Sequence, residues 1–264
     1  MTSRPPGGLM AAHRHRAAPP PRRRRSALDR VLSGFGELLI TVGIVVALFL
    51  VWQLWWTGIA ANQKAEASTL AFHETQVESP KKEGTKHTDP PPEFEAVSYG
   101  ETIGMLIVPK WYGVTNNNMP VIEGTGPDVL DQAAAGHYPD TQQVGEIGNF
   151  AIAGHRRTNG NSFLRIDTLE EGDEIIVATK DTWYVYTVTS HDIVEPTQVD
   201  VIAPVPGDPE AQPEERYITL TTCHSLTTGE WGNDHRWVVH GKFSYWMPRS
   251  EGRPASVLND PEVN

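Results

Sequence analysis

Cysteine is nearly missing from this chain, whose 264 residues include a single one, Cys223. One cysteine excludes an intrachain disulfide and any metal site built from several thiolates. The sequence also lacks an HExxH motif or a Cys/His cluster, so we expect no catalytic metal. A formal net charge of -11 argues against a nucleic-acid binder.

Positive charge is scarce outside the N-terminal 36 residues. Residues 1–36 hold eight of the 22 basic residues but only one of the 33 acidic ones. Between residues 4 and 25 the arginines are mixed with Pro and Ala and lack the aromatic side chains that stack on bases. We therefore interpret 1–36 as a basic cytoplasmic arm that orients the chain and contacts anionic membrane lipid, with no nucleic acid bound.

The segment that follows the arm carries no charge from residue 38 to residue 63. As a helix it would be about 39 Å long, enough to cross a bilayer core of about 30 Å. Trp52, Trp55 and Trp56 lie near its C-terminal end, where indoles favour the membrane interface. We predict an uncleaved transmembrane signal-anchor helix at 37–63, with a cytoplasmic N-terminus and the rest of the chain outside the plasma membrane. A cleaved signal peptide and a buried core helix are the alternatives.

Beyond the apolar segment the sequence divides by composition into three parts. Residues 64–97 are polar and include three consecutive prolines, which predicts an extracellular linker, and residues 251–264 predict a polar tail. Residues 98–250 predict an all-β globular domain, because short runs rich in Val, Ile, Tyr and Thr alternate with Gly, Pro and Asn. The strand-like runs are 103–108, 149–153, 173–178, 183–189, 216–222 and 236–243. Two further runs, 129–135 and 162–169, predict short helices.

The lone cysteine follows the end of a strand-like run. Alternation places Ile218 and Leu220 on one face of that strand and Cys223 on the other. A structural cysteine usually lies on the apolar face, so this placement favours a reactive thiol. His155 follows the same pattern, because it shares a face with small alanines rather than with the large apolar residues of its run.

Arg236 opens the strand-like run after Cys223, and a hairpin between the two runs brings it back near the thiol. A free thiol has a pKa of about 8.5, so it needs a neighbouring imidazolium or guanidinium to form a thiolate at neutral pH. His155 can then protonate a leaving amine, and Arg236 can hydrogen-bond the substrate or a developing oxyanion. Considered alone, His155 could equally be an ordinary loop residue, and Arg236 could equally be an ordinary surface residue.

The segment Thr219-Leu220-Thr221-Thr222-Cys223 ends a collinear series of motifs that Arg236 completes. The other members are 121–124, 136–139, 145–149, 153–156, 162–166 and 169–173. Together they resemble the sortases, the cysteine transpeptidases of the Gram-positive cell surface, whose TLxTC signature the segment matches. The resemblance covers residues 98–245.

This resemblance implies an eight-stranded β-barrel with short helices, preceded here by one N-terminal transmembrane helix. It also implies cleavage of an LPxTG-like or LAxTG-like sorting signal between Thr and Gly, through a thioacyl intermediate. By position, Cys223 is the nucleophile, His155 the general acid/base, Arg236 the substrate and oxyanion stabiliser, and Thr222 a helper in substrate placement. The partners are surface proteins that bear the signal and an amine of a peptidoglycan precursor or of a pilin.

The subclass rests on fewer residues. The pair Cys223-His224, the stretch 136–139 and the basic arm resemble class E housekeeping sortases of actinobacteria, which favour LAxTG signals. A pilin-polymerising sortase is the alternative, but the lid motif Asp-Pro-aromatic of such enzymes is not matched at Asp89-Pro90-Pro91. The loop 225–234 lies beside the predicted site, and we expect its Trp231 to pack on the barrel rather than touch substrate.

No cofactor is implied by the resemblance. Stimulation by Ca²⁺ is an option, but the acidic residues lack an EF-hand-like spacing; the candidates are Glu101, Glu123, Asp128 and Asp131. A non-catalytic surface β-domain that binds a partner is the alternative from another class, and it would tolerate Cys223→Ala. Other exported cysteine enzymes fit less well, since a papain-like peptidase places its cysteine before its histidine and an L,D-transpeptidase has a different sequence around its cysteine.

Overall fold

The computed structural model describes residues 27–113, 117–261 and 263. The chain divides into two units, residues 1–50 and 51–264. Helix α1, Ala27–His73, runs from the first unit into the second, and its most apolar stretch has a mean hydropathy of 2.4. It is long and apolar enough to cross a membrane, as a signal sequence also would be. Most of the predicted basic arm lies outside the described residues.

Eight strands of the second unit close into a barrel, which confirms the predicted fold class. Their order around the barrel is β1-β2-β3-β4-β7-β8-β6-β5. Neighbours are antiparallel except for the parallel pairs β2–β3 and β4–β7. The bounds are Thr102–Ile107 (β1), Met119–Glu123 (β2), Ala135–His137 (β3), Gly148–Ala153 (β4), Glu174–Ala178 (β5), Thr182–Val194 (β6), Arg216–His224 (β7) and His235–Pro248 (β8).

The barrel interior is filled by alternate side chains of the strands. Phe150 and Ile152 of β4 and Ile218 and Leu220 of β7 belong to one buried apolar cluster. Each such side chain contributes about 1.5–3 kcal/mol when fully buried, so the alternation fixes which face of each strand points inward. Cys223 therefore belongs to the outer face of β7, as its position in the sequence predicted.

Two strands and two helices depart from the sequence prediction. Strands β2 and β3 were not predicted, and β3 is only three residues long. The helix predicted at 129–135 is wrong, because the helix there is α2, Pro127–Leu130, and the chain then turns at Ala133, whose φ is 54°. The segment 162–169 forms turns and a short 3₁₀ helix, Ile166–Thr168, rather than an α-helix.

The segment that follows α1, for which the composition predicts a linker, packs on the barrel. The backbone amides of His87 and Trp246 donate to each other's carbonyl oxygens at 2.9 Å. Phe94 and Val97 pack against the main core, and Tyr184 donates its hydroxyl to the Pro92 carbonyl oxygen at 3.1 Å. These contacts could not be predicted from the polar composition, because several of them are made by backbone atoms.

The C-terminal segment, for which the composition predicts a polar tail, is also packed on the barrel unit. Arg253, which is 4% exposed, donates to the carbonyl oxygens of Ser79 and Val263. Val257 is fully buried in a second apolar cluster, which also contains Phe72 of α1. The packed unit thus extends beyond both predicted borders, 98 and 250.

Candidate active site

Three adjacent strands bring the predicted site residues to one end of the barrel. Strands β4 and β7 run parallel with Ala153 opposite Thr221, and the Gly154 amide donates to the Thr221 carbonyl oxygen at 3.1 Å. His155 and Cys223 each lie two residues beyond that pair, so they leave neighbouring strands at the same end. Strands β7 and β8 are antiparallel, with Cys223 directly opposite Arg236.

Cys223 is a free, partly exposed thiol on the outer face of β7. Its neighbour Thr222 points the other way and is 3% exposed. The Thr222 hydroxyl donates to the carbonyl oxygen of Gly154 at 2.6 Å, which ties the end of β7 to the residue before His155. This bond fixes the two strand ends that carry the thiol and the imidazole; a direct substrate contact by Thr222 stays a prediction.

The residue before the histidine must be glycine because another side chain occupies the adjacent space. A Cβ on Gly154 would lie 2.8 Å from the ring of Phe163. Phe163 is fully buried, so it has little room to move aside. Its backbone amide also donates to the His155 carbonyl oxygen at 2.8 Å, which folds the chain after β4 back toward the site.

His155 is paired with a carboxylate that sequence reasoning did not assign to the site. Its Nε2 lies 2.8 Å from Oδ1 of Asp131, and the side chains of the two residues are 26% and 47% exposed. The Nδ2 amide of Asn159 donates to the same Asp131 oxygen. Sequence analysis named Asp131 only as a candidate Ca²⁺ ligand, because no local pattern links two residues that are 24 positions apart.

Arg236 is held by the backbone at the start of its own strand. Its Nη1 donates to the carbonyl oxygens of Asn233 and His235, both at 2.8 Å. The register places it across from the thiol, while these bonds keep its guanidinium on the loop. Because both acceptors are neutral and exposed or half-buried, a substrate carbonyl can replace them at little cost.

A buried arginine, Arg156, supports the ends of the strands that carry the site. The Arg156 side chain is 2% exposed, pairs with Asp167 at 3.2 Å, and donates Nη1 to Nδ1 of His224 at 2.6 Å. The guanidinium lies 5.6 Å from the ring of Trp237, and His224 contacts the same ring edge-on. Burial and the Arg156 charge lower the pKa of His224, so this imidazole stays neutral and accepts the bond.

The β7–β8 loop presents its tryptophan to solvent, and the expectation that Trp231 packs on the barrel is wrong. Trp231 is 72% exposed, with the Arg157 guanidinium 4.2 Å from its ring. Ser225 and Gly229 exchange backbone hydrogen bonds at 2.8 and 2.9 Å, which closes a tight turn and directs the rest of the loop outward. Arg157 also pairs with Glu230 of this loop.

The four acidic residues named as candidate Ca²⁺ ligands have hydrogen-bond partners within the protein. Glu123 lies 2.8 Å from Nδ1 of the fully buried His137, and Asp128 accepts the Tyr99 hydroxyl at 2.8 Å. No group of three or more His, Cys, Asp and Glu side chains suited to a metal occurs in the described part of the chain.

The chain is similar in sequence to proteins of one known family. A family model for the sortase domain matches residues 109–244. The chain is 34% identical to Sortase SrtE1 of Streptomyces coelicolor over 231 residues, which is 85% of this chain but only 60% of that protein. It is also 34% identical to Sortase SrtE2 of the same organism over 221 residues, which is 81% of this chain and 82% of the relative.

A solved structure shares the fold as well as the sequence. The SrtA sortase from Actinomyces oris is 75% identical, with a TM-score of 0.66, and the match covers 68% of this chain and 100% of that one. The residues matched by the family model, 109–244, include His155, Cys223 and Arg236.

Proposed function

This chain belongs to the sortase family of cysteine transpeptidases, and we propose that it acts outside the cell, anchored by α1, on proteins with an LAxTG-type or LPxTG-type sorting signal. In this proposal it cleaves the signal between Thr and Gly and joins the new carboxyl end to an amine of the cell wall. The similarity to SrtE1 and SrtE2 supports class E.

One observation carries the assignment of the site. The parallel register of β4 with β7, and the antiparallel register of β7 with β8, bring His155, Cys223 and Arg236 to one end of three neighbouring strands. A nucleophile, a proton carrier and a fixed cation are the groups that acyl transfer through a thioester requires.

The proposed reaction uses each group in turn. The Cys223 thiolate attacks the Thr carbonyl carbon of the signal, and Arg236 donates hydrogen bonds to the substrate and to the oxyanion that develops. His155 gives a proton to the departing Gly nitrogen as the C–N bond breaks, which leaves a thioester. An acceptor amine then attacks the thioester carbon, loses a proton to His155, and releases the Cys223 sulfur as a thiolate.

The preference for LAxTG and the role in cell-wall anchoring are inferred from the class E resemblance. A pilin lysine as the acceptor would instead indicate a polymerising enzyme. The location outside the cell is inferred from the arginine-rich arm before α1, because basic residues stay on the cytoplasmic side of a membrane span. A cleaved α1 would release the barrel from the membrane and contradict the anchor.

The test uses the full chain purified in detergent, with LAxTG and LPxTG peptides and glycinamide as the acceptor amine. Chromatography with mass spectrometry would detect a product that ends in Thr-glycinamide, formed faster from the LAxTG peptide. We expect His155→Ala to lose turnover and Arg236→Ala to reduce it by about a hundredfold or more.

Arg165→Ala is the matched control for Arg236→Ala, because Arg165 is an exposed arginine of the same barrel. Equal losses in the two arginine variants would contradict the role given to Arg236. Cleavage at another bond, or none with either peptide, would contradict the proposed signal.

A further inference from the structure

The contact between His155 and Asp131 selects which imidazole nitrogen can take part in chemistry. Because the Asp131 carboxylate lies 2.8 Å from Nε2, that nitrogen carries a proton and donates it. The neutral imidazole then presents an unprotonated Nδ1, and the imidazolium presents an Nδ1–H. The carboxylate thus orients the imidazole ring and leaves Nδ1 free to exchange a proton with the Cys223 thiol or with the leaving amine of the substrate.

Asp131 is held in place from two sides. It follows directly after α2, and its backbone amide donates to the Pro127 carbonyl oxygen at 3.0 Å. The Asn159 amide donates to the same carboxylate oxygen as the histidine, from a loop residue with a φ of 47°. Asparagine tolerates this left-handed conformation better than most residues, which suits it to this position.

The loop that carries Asp131 rests on the final turns of α1. Ala61 and Ala65 of α1 and Ala133 form a small buried cluster, and each side chain is 2% exposed. Ala133 has a φ of 54°, a strained conformation for alanine that persists only when its surroundings enforce it. A Cβ on Gly160 would lie 2.2 Å from the Ala133 Cβ and 2.8 Å from the Asn62 side chain, so the loop after His155 closes on the same point.

We propose that Asp131 is a positioning residue for His155, and that the Ala61–Ala65 turns of α1 hold the Asp131 loop in its working conformation. Ala61 lies near the end of the proposed span, 37–63, and Ala65 follows it, so these turns lie where α1 leaves the proposed membrane span. The membrane anchor is then also a structural support for the active site. This inference rests on the proposed catalytic role of His155.

Replacing Asp131 tests the first half of the proposal. Because this carboxylate is half-exposed and its pair with His155 is partly solvated, Asp131→Ala should fold with a nearly unchanged melting temperature. We expect its kcat for the sorting-signal peptide to fall by up to about a hundredfold, because the imidazole is no longer held in place, while KM stays close to that of the unmodified enzyme. Asp131→Asn keeps an oxygen that can accept from Nε2, so it should lose less than Asp131→Ala.

Asp128→Ala is the matched control for this change. Asp128 is an exposed carboxylate three residues earlier, and it accepts a hydrogen bond from Tyr99 rather than from His155. It should keep full kcat. Equal activity of Asp131→Ala and Asp128→Ala would overturn the role of Asp131, as would a rise in KM without a fall in kcat.

The proposed support of the Asp131 loop by α1 is tested by replacing each of two alanines of α1 with leucine in separate variants. Ala65→Leu overfills the contact with Ala133 and should lower kcat several-fold, whereas Ala67→Leu, on the exposed face of the same helix, should leave kcat unchanged. If α1 acts through Asp131, adding Ala65→Leu to Asp131→Ala should produce little further loss. Full additivity of the two losses, or equal effects at residues 65 and 67, would overturn this half.

His155→Ala, measured beside these variants, separates the inference from the proposed function. If His155→Ala retains turnover, the role of the histidine itself fails. If His155→Ala is inactive and Asp131→Ala is fully active, only the positioning role fails. All variants are made in the full chain in detergent, because α1 is part of what is tested.

Discussion

The hydroxyl of Thr222 offers a sharp test of how the strand ends are held together. It donates to the Gly154 carbonyl oxygen at 2.6 Å, and both residues are buried. Thr222→Val removes this donor while keeping the side-chain shape. The carbonyl of Gly154 then loses its side-chain partner at a site that water cannot easily reach.

The expected change in the free energy of unfolding of Thr222→Val follows from two opposing contributions. A buried carbonyl without its hydrogen bond costs about 1–3 kcal/mol, and the additional buried methyl group of valine returns about 0.8 kcal/mol. The net loss of stability is therefore about 0.2–2 kcal/mol. For a packed unit of this size, each 1 kcal/mol lowers the melting temperature by about 2–4 °C.

The functional effect separates two roles for Thr222. Because Gly154 precedes His155, we expect Thr222→Val to lower kcat by about tenfold through misplacement of the imidazole, with KM little changed. Thr222→Ser keeps the hydroxyl and should keep most of the turnover. The assays are thermal unfolding followed by tryptophan fluorescence and steady-state peptide cleavage by the full chain.

Either of two results would refute this reasoning about Thr222. An unchanged melting temperature and kcat in Thr222→Val would mean that the bond to Gly154 contributes nothing. A raised KM with unchanged kcat would mean that the hydroxyl acts directly on the substrate, which is the role that the family resemblance implied.

Three further predictions concern groups around the site. Glu123→Ala leaves the buried Nδ1 of His137 without its carboxylate and should lower stability by about 1–3 kcal/mol, whereas the exposed Glu101→Ala should change the melting temperature little. Burial lowers the pKa of His240 below its ordinary 6.5, so the folded chain binds this proton more weakly than the unfolded chain, and stability is lost as the pH falls below 6.5. The melting temperature of His240→Asn should therefore fall less than that of the unmodified protein between about pH 7 and about pH 5; equal slopes would contradict this. Trp231→Ala should change stability by no more than about 0.5 kcal/mol, because the ring is 72% exposed, and a larger loss in thermal unfolding would show that it packs on the barrel.

The strand pattern was sufficient to predict an all-β domain and the strands that carry the site, and the family resemblance implied the closed barrel. Strands β7 and β8 have the alternation and the β-branched residues that indicate a strand, so the register of Cys223 with Arg236 followed from a simple hairpin. The two short strands were missed for a physical reason. Strand β3 consists of Ala135, Gly136 and His137, which have little β preference, and it exists because β2 and β4 pair with its two edges.

The residues that support the site were harder to predict because they depend on tertiary contacts. Asp131 meets His155 only after α2 ends early and the chain turns at Ala133. The hydrogen bond from Thr222 to Gly154 requires the parallel pairing of β4 with β7. No local sequence pattern predicts that pairing. Composition likewise predicted a linker at residues 64–97. The segment contacts the barrel partly through backbone hydrogen bonds, which do not depend on residue type and so cannot be predicted from composition.

The central claim is that Cys223 forms a thioester with the Thr of a sorting signal and passes that acyl group to an amine. Mass spectrometry of the full chain, incubated with an LAxTG peptide, tests it most directly. The account predicts a protein whose mass increases by the peptide up to Thr, with the addition on Cys223, and which returns to its original mass when glycinamide is added. A Cys223→Ala variant that still forms Thr-glycinamide, or an adduct on any other residue, would contradict it.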